Sequence, residues 1–273
     1  MPKIQINGAS IHYETLGSSR ETIVFAHGLL WSGRIFDGQI AALKNHYRCI
    51  AFDFRGQGQT EITRTGYDME TLYSDTVALV ESLGVAPCHF VGLSMGGMVG
   101  LRIAIRRPEL IKSLSLLATP ADAETEEKKK RYRLLTMIAC LFGLRVVTNR
   151  VMPIMFGKTF LNDPGRAEQK KQWRENFIAN HRIGVSRAVM GVSTRASIFD
   201  EINRIKTPTL IVMGDEDAAI PIEQAKRIHS QITNSKLIIL PRAGHTPGVE
   251  EPEAVTRLLE DFISKHSMVD KAP

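Results

Sequence analysis

The chain has 273 residues, of which 43% are hydrophobic and 23% are charged. This composition is ordinary for a globular protein, and the length allows one large core or a core with an inserted subdomain. The start, MPKIQINGAS, lacks a basic stretch followed by an apolar run, and the longest apolar patch, LLTMIACLFGL, is too short to cross a bilayer. We therefore expect neither a secretory signal nor stable membrane insertion.

The net charge of +6 is unevenly distributed along the chain. Between Ala121 and Phe199 there are 15 lysines and arginines against 7 acidic residues, an excess of +8, so the remainder carries −2. A basic chain raises the question of nucleic-acid binding. No RNP-like, helix-turn-helix or zinc-finger pattern accompanies the basic residues, and we expect no nucleic-acid partner.

The cysteine content predicts a reducing environment. Cys49, Cys88 and Cys140 are odd in number and lie in apolar stretches, which favours buried free thiols and a cytoplasmic location. The histidines and cysteines show no metal-ligand spacing, and no G-x-x-x-x-G-K-[ST] phosphate loop occurs. We expect a protein without a metal or a cofactor.

In chain order, the sequence first predicts an antiparallel hairpin from KIQING and SIHYETLG. Six buried strands follow, with helical patterns between them: ETIVFAHG, RCIAFDFRG, CHFVGLS, SLSLLAT, PTLIVMGD and SKLIILP. This alternation predicts an α/β fold with a mostly parallel eight-stranded sheet flanked by helices. Residues 120–206 contain helical patterns and no convincing strand. They are expected to form a helical cap inserted into a core of residues 1–119 and 207–273.

The stretch VGLSMGGMVG places Ser94 among glycines, directly after a strand and before a helical pattern. A G-x-S-x-G turn between strand and helix exposes a serine hydroxyl as a nucleophile. An ordinary tight turn is the alternative that this short pattern allows. A serine acts as a nucleophile only with a base, a carboxylate that orients the base, and donors for the oxyanion.

The predicted base is His245, in the loop LPRAGHTPGVEEPE after the last strand. This loop follows the carboxyl end of a strand, where α/β proteins bind their ligands. His27 precedes a loop turn, and we interpret it as a structural hydrogen-bonding residue. Four further histidines are expected to be ordinary surface residues: His46, His181, His229 and His266.

The acid and the oxyanion donors complete the predicted site. Asp215 and Asp217 both follow the penultimate strand in GDEDAAIP, and either could orient the base or simply form a turn. The chain order Ser, Asp, His is that of the G-x-S-x-G hydrolases. The two donors are expected to be the backbone N–H groups of Met95, next to the serine, and Leu29, in the loop FAHGLLWSG.

Five motifs, in this order, resemble the α/β-hydrolase superfamily over nearly the whole chain: HG (27–28), DFRGQGQT (53–60), GLSMGG (92–97), GDEDAAIP (214–221) and AGHTPGVEEP (243–252). The acid of that family stands three residues after the glycine and four before the proline, which implies Asp217. The G-x-S-x-G turn around Ser94, which we call the elbow, and the stretch EDAAIP are most similar to 3-oxoadipate enol-lactonases and related carboxylesterases. The resemblance implies a cofactor-free hydrolase of small to medium apolar esters or lactones, acting through an acyl-enzyme on Ser94. Its activity should fall as His245 is protonated at acid pH.

Three other functions are compatible with the same residues. They are carbon–carbon bond hydrolysis or perhydrolysis with the same triad, a non-catalytic receptor that retains the triad, and a lipase acting at a lipid surface. The cap helix EEKKKRYRLLTMIACLFGLRVV either lines the pocket and touches lipid, or packs on the core with solvated charges. The expected partner is a small-molecule ester or lactone, and a homodimer is compatible with the sequence. The expected pocket residues are Leu30, Trp31, Met137, Met155 and Phe156.

Overall fold

The computed structural model describes residues 2–267. It contains one eight-stranded sheet in the order β1-β2-β4-β3-β5-β6-β7-β8. The strands are β1 Lys3–Ile6, β2 Ala9–Leu16, β3 Thr22–Ala26, β4 Arg48–Phe52, β5 Cys88–Leu93, β6 Ile111–Leu117, β7 Thr209–Gly214 and β8 Ser235–Leu240. Strand β2 pairs antiparallel with β1 and β4, and all other pairs are parallel. The predicted α/β class and mostly parallel sheet are confirmed.

The helices cover the sheet and account for the apolar character of its strands. They are α1 Asp37–Leu43, α2 Met69–Ser82, α3 Met95–Arg106, α4 Glu126–Phe142, α5 Thr148–Met155, α6 Lys158–Asn162, α7 Ala167–Ile178, α8 Arg182–Ser193, α9 Ile222–Gln231, α10 Pro247–Glu250 and α11 Pro252–Ser264. Every residue of β3, β5 and β7 is buried. Parallel strands covered on both faces need continuous apolar runs, which is the pattern that the sequence shows.

Helices α4 to α8 all lie between β6 and β7, which are neighbours in the sheet. We call residues 120–206 the cap segment. It is hydrogen-bonded to segments that follow three different strands. The Asn180 side chain donates to the Leu30 carbonyl (2.9 Å), and the Thr159 N–H donates to Glu216 (2.7 Å). The Gly157 N–H donates to Glu250 (2.7 Å). Because these segments follow β3, β7 and β8, the cap segment lies over the carboxyl ends of the strands.

Candidate active site

Ser94 stands at the junction between β5 and α3, in an uncommon backbone conformation. Its φ and ψ are 48° and −108°, and its N–H donates to the Leu117 carbonyl (2.8 Å). A positive φ is unfavourable for a residue with a side chain and occurs where the surroundings enforce it. The chain therefore turns sharply at Ser94, and the hydroxyl lies beyond the end of the strand.

The glycines around Ser94 are required by packing. A Cβ at Gly92 would lie 2.5 Å from the backbone of Gly96, and one at Gly96 would lie 2.0 Å from the Ala26 carbonyl oxygen. A Cβ at Gly97 would lie 1.9 Å from the Thr119 hydroxyl. Helix α3 thus starts so close to the neighbouring strand ends that only hydrogen fits at these three positions.

His245 lies between Ser94 and Asp217. Its Nε2 is 3.0 Å from the Ser94 Oγ, and its Nδ1 is 2.8 Å from the Asp217 Oδ2. A neutral ring that donates from Nδ1 to the carboxylate leaves Nε2 free to accept the serine proton. Both the histidine and the aspartate side chains are buried. The arrangement therefore has the hydrogen-bond polarity of a nucleophile, a base and an orienting acid.

Backbone groups hold the Asp217 carboxylate in place. Its Oδ1 accepts the N–H groups of Ala219 (2.7 Å) and Ile220 (2.9 Å), which leaves Oδ2 for His245. Asp215, the other aspartate of this loop, instead accepts the N–H of Arg242 (2.8 Å). Two residues of separation thus direct the two carboxylates to different partners. Only the Asp217 carboxylate reaches the histidine ring.

His27 has no free ring nitrogen with which to act as a base. Its Nδ1 donates to the Gly28 carbonyl (2.7 Å), and its Nε2 accepts the Phe54 N–H (2.9 Å). Burial lowers the pKa of the His27 imidazole, although the neighbouring Asp53 opposes this effect. A neutral ring with one donor and one acceptor nitrogen matches both contacts. The geometry agrees with a structural role for this residue.

The hydrogen bond from His27 to the Gly28 carbonyl orients the Leu29 N–H, one of the expected oxyanion donors. Since a trans peptide places its C=O and N–H on opposite sides, holding the Gly28 carbonyl directs the Leu29 N–H away from His27. The next residue, Leu30, has a φ of 76°, and its N–H donates to the Gln57 side chain (2.7 Å). Within residues 2–267, no acceptor receives the N–H of either Leu29 or Met95. Both groups are therefore available to a ligand.

Glu250 is a site residue that the sequence analysis missed. Its buried carboxylate accepts the N–H groups of Gly157 (2.7 Å) and Gly244 (2.9 Å), and also the N–H and hydroxyl of Thr246 (3.1 and 3.0 Å). Burial raises the pKa of the Glu250 carboxyl, and these hydrogen bonds partly offset that rise. Glu250 therefore joins both neighbours of His245 to the cap segment. No sequence signal separates it from the two other acids of the same loop.

A mostly apolar cavity adjoins Ser94 and His245. Its walls come from the loop after β3 and from the cap segment, and they include Leu29, Leu30, Leu135, Ala139, Val151 and Met155. The lining also includes Tyr132, near an ion pair between Glu124 and Arg195 (3.2 Å). Burial raises the pKa of Tyr132 to about 12, so its hydroxyl keeps its proton at neutral pH.

The expected pocket residues divide into two groups. Leu30 and Met155 line the cavity. The structure does not place Trp31 and Phe156 on the cavity wall; their rings pack edge-to-face with centroids 5.8 Å apart. Met137 is not on the cavity wall either, since it is 54% exposed on the outer face of α4.

None of the helices between residues 2 and 267 has the length and apolar character to traverse a bilayer. Within the same residues, no group of three His, Cys, Asp or Glu side chains is placed to hold a metal ion.

The similarity of the chain to known proteins shows which family it belongs to. The family model described as the alpha/beta hydrolase family matches residues 23–258. The chain belongs to the alpha/beta hydrolase family. It is 26% identical to the putative carbamate hydrolase RutD of Pseudomonas syringae, over 89% of this chain and 93% of that protein.

Two solved structures have the same fold over nearly their whole length. A thermophilic esterase from Thermogutta terrifontis superimposes with a TM-score of 0.90 at 24% identity, covering 98% of this chain and 100% of the esterase. The enol-lactonase from Burkholderia xenovorans LB400 gives 0.89 at 26% identity, covering 96% and 100%. The esterase supports the fold alone. These relatives are hydrolases named for different substrates, so the family does not specify the scissile bond.

Proposed function

We propose that the protein is a serine hydrolase of carboxylic esters or lactones with small to medium apolar acyl groups. The observation that carries this proposal is the continuous hydrogen-bond chain from Ser94 through His245 to Asp217, next to an apolar cavity. The similarity to an enol-lactonase at 26% identity supports the same substrate class.

The first half of the reaction forms an acyl-enzyme. Ser94 Oγ attacks the ester carbonyl carbon while His245 Nε2 removes the hydroxyl proton, and Asp217 stabilises the resulting imidazolium. The N–H groups of Leu29 and Met95 hold the negative oxygen of the tetrahedral intermediate. One such donor typically contributes about 2.7–4 kcal/mol to transition-state stabilisation. The intermediate collapses, the carbon–oxygen bond to the alcohol breaks, and His245 gives its proton to the departing oxygen.

The second half returns the enzyme to its starting state. A water molecule attacks the acyl carbon, and His245 takes a proton from it as the new carbon–oxygen bond forms. When the second tetrahedral intermediate collapses, the bond to Ser94 breaks and His245 returns the proton to the serine oxygen. The products are a carboxylic acid and an alcohol, or a single hydroxy acid from a lactone. Asp217, held by two backbone N–H groups, keeps the ring oriented through both steps.

The cap segment is proposed to act as the lid that selects the acyl group. Its residues Leu135, Ala139, Val151 and Met155 form much of the cavity wall, so the acyl chain would be buried against them. Burial of apolar surface contributes roughly 25 cal/mol per Å², which favours acyl groups that fill this space. The similarity to a putative carbamate hydrolase makes carbamate esters the second candidate substrates, since the same triad would cleave them.

The proposal is tested by labelling with a small fluorophosphonate and measuring the intact mass. We expect one adduct on the wild-type protein and none on Ser94→Ala or His245→Ala. Ser18→Ala, at an exposed serine far from the elbow in sequence, should label like the wild type and serves as the control. Circular dichroism would establish that each variant is folded.

Turnover separates an esterase from a receptor that merely retains the triad. p-Nitrophenyl esters of increasing chain length should be hydrolysed over many cycles, and p-nitrophenyl carbamates should be compared in the same assay. Absence of both labelling and turnover on folded wild-type protein would contradict the proposal. Product analysis with diketone substrates, or with peroxide present, would identify carbon–carbon hydrolysis or perhydrolysis instead.

A further inference from the structure

The large exposed apolar side chains of this protein are concentrated on one surface. Among residues 2–267, those more than half exposed all belong to the cap segment, at 54–70% of their area: Leu134, Met137, Leu141, Phe142 and Val146. The exposed apolar residues elsewhere, such as Ile62 and Ile239, are isolated and only 37% exposed. Scattered apolar residues are normal on a protein surface, whereas a contiguous group marks an interaction site.

Helix α4 has two different apolar faces. Tyr132, Leu135 and Ala139 follow helical spacing and line the cavity on the inner face. Lys130, Leu134, Met137 and Leu141 recur at intervals of four, three and four residues, which places them on the outer face. Phe142, the last residue of α4, and Val146, in the short 3-10 helix that follows, are exposed as well. We call Leu134, Met137, Leu141, Phe142 and Val146 the outer apolar patch.

Four basic residues lie close in sequence to the outer apolar patch. Lys130, Arg131, Arg133 and Arg145 are exposed, and within residues 2–267 none of the four forms a salt bridge. They belong to the part of the chain with an excess of +8, whereas the rest of the sequence carries −2. Apolar side chains next to unpaired basic residues are the combination that binds the surface of a membrane containing anionic lipids.

We propose that the outer apolar patch and its basic border dock on an anionic lipid surface. The apolar side chains would enter the boundary between headgroups and acyl chains, and the four basic side chains would lie against the lipid phosphates. The protein would rest on the surface without crossing it. A second copy of this chain is the less suitable occupant, because a two-fold interface would bring the basic border of each copy against itself.

Docking in this orientation places α4 between the lipid surface and the cavity, with the inner face of the helix towards the cavity. Apolar esters partition into such surfaces, so the cavity would be held near a concentrated supply of them. The docking itself does not depend on the chemistry of Ser94. Vesicle binding therefore remains measurable in the Ser94→Ala variant, which separates a failure of this proposal from a failure of the proposed hydrolysis.

The test is co-sedimentation of the full chain with vesicles of phosphatidylcholine, with and without phosphatidylglycerol. We expect the protein to bind vesicles that contain phosphatidylglycerol and to bind phosphatidylcholine vesicles only weakly. Binding to the anionic vesicles should weaken as the salt concentration is raised. Leu141→Glu combined with Phe142→Glu should lower the partition coefficient on the order of tenfold or more. Ile62→Glu combined with Ile239→Glu places the same charges at exposed apolar residues outside the patch, and should cost at most about twofold. Lys130→Glu combined with Arg133→Glu should remove most of the salt dependence.

Two results would overturn the proposal. One is wild-type protein that fails to bind anionic vesicles, or that binds them equally well after the Leu141 and Phe142 changes. The other is a dimer, detected by size-exclusion chromatography with light scattering, that does not bind vesicles and that the Leu141 and Phe142 changes dissociate. That result would make a second copy of the chain the occupant of the patch. The substituted side chains are exposed, so their thermal unfolding should match that of the wild type.

Discussion

The elbow and helix α4 are both rich in apolar residues, yet the elbow is buried and much of α4 is exposed. Every residue from Cys88 to Ile105 is buried, whereas in α4 only Ala139 is. At the elbow, each position is constrained by backbone and side chains on all sides. On α4, one face is constrained by the cavity and the other by nothing within the described chain. Substitutions at the elbow should therefore affect folding and catalysis, and substitutions on α4 should affect selectivity and association.

The largest expected effect belongs to the aspartate that orients the base. Asp217→Asn should lower kcat for a p-nitrophenyl ester on the order of 10⁴-fold, because the amide favours the wrong tautomer of His245. Asp215→Asn is the matched control, since its carboxylate contacts only the loop backbone at Arg242, and it should retain activity within about tenfold. A greater loss in Asp215→Asn than in Asp217→Asn would reverse the assignment.

The next effect tests the packing of the elbow. Gly96→Ala should destabilise the fold by about 3 kcal/mol or more, because its Cβ would meet a backbone carbonyl that cannot move without shifting β3. Gly38→Ala, on α1, has open space around its Cβ and should be neutral or stabilising by up to about 1 kcal/mol. Urea unfolding of both variants measures the difference. Equal stabilities would show that the elbow tolerates a methyl group.

A smaller effect depends on pH and concerns the other end of β5. Burial lowers the pKa of His89 to about 4, against the attraction of Glu21 and in agreement with the repulsion of Lys112 and His266. In the unfolded chain, His89 would bind a proton near pH 6.5, whereas in the folded protein it does so only near pH 4. The free energy of unfolding that depends on neutral His89 is therefore present above pH 6.5 and is lost as the pH falls towards 4. The loss amounts to at most about 3 kcal/mol.

Comparison with a variant that lacks this proton site measures that pH-dependent effect. His89→Gln should show a shallower fall in unfolding free energy between pH 6.5 and 4.5 than the wild type. The exposed His46→Gln should follow the wild-type curve. Parallel curves for His89→Gln and the wild type would contradict the assignment of this titration to His89.

The smallest effect separates the two faces of α4. Leu135→Ala enlarges the cavity and should shift the preference in kcat/KM towards longer acyl chains by about tenfold. Met137→Ala, two residues away, is outside the cavity, and its kcat/KM for monomeric esters should stay within about twofold of the wild type. A chain-length series with both variants provides the measurement. A shift in selectivity caused by Met137→Ala would show that the outer face also contacts substrate.

The fold was predictable because its signals are local. Buried parallel strands need unbroken apolar runs, and each run in the sequence corresponds to a strand. The region around Ser94 was also readable, since glycines at 92, 96 and 97 are tolerated only where close packing repays their cost. The choice between Asp215 and Asp217 was different. Both are aspartates in the loop that follows the penultimate strand, and the family resemblance was needed to choose between them.

Other features depend on which side of an element faces inward. The sequence of α4 has apolar residues on two faces, so periodicity alone cannot show that Leu135 lines the cavity and Met137 does not. Trp31 was expected at the pocket and belongs to the loop FAHGLLWSG. Its ring instead packs on Trp173, which lies far along the chain in the cap segment, at a centroid distance of 5.2 Å.

By itself, the sequence determined the order of strands and helices along the chain and predicted Ser94 and His245, because hydrophobic runs and glycine-dependent turns are encoded within a few neighbouring positions. Asp217 needed the family resemblance as well. Only the tertiary structure decided that Glu250 joins His245 to the cap segment, which residues wall the cavity, and that the outer apolar patch remains uncovered. These features arise from contacts between residues far apart in the chain. Their side-chain directions depend on packing, which no short stretch of sequence contains.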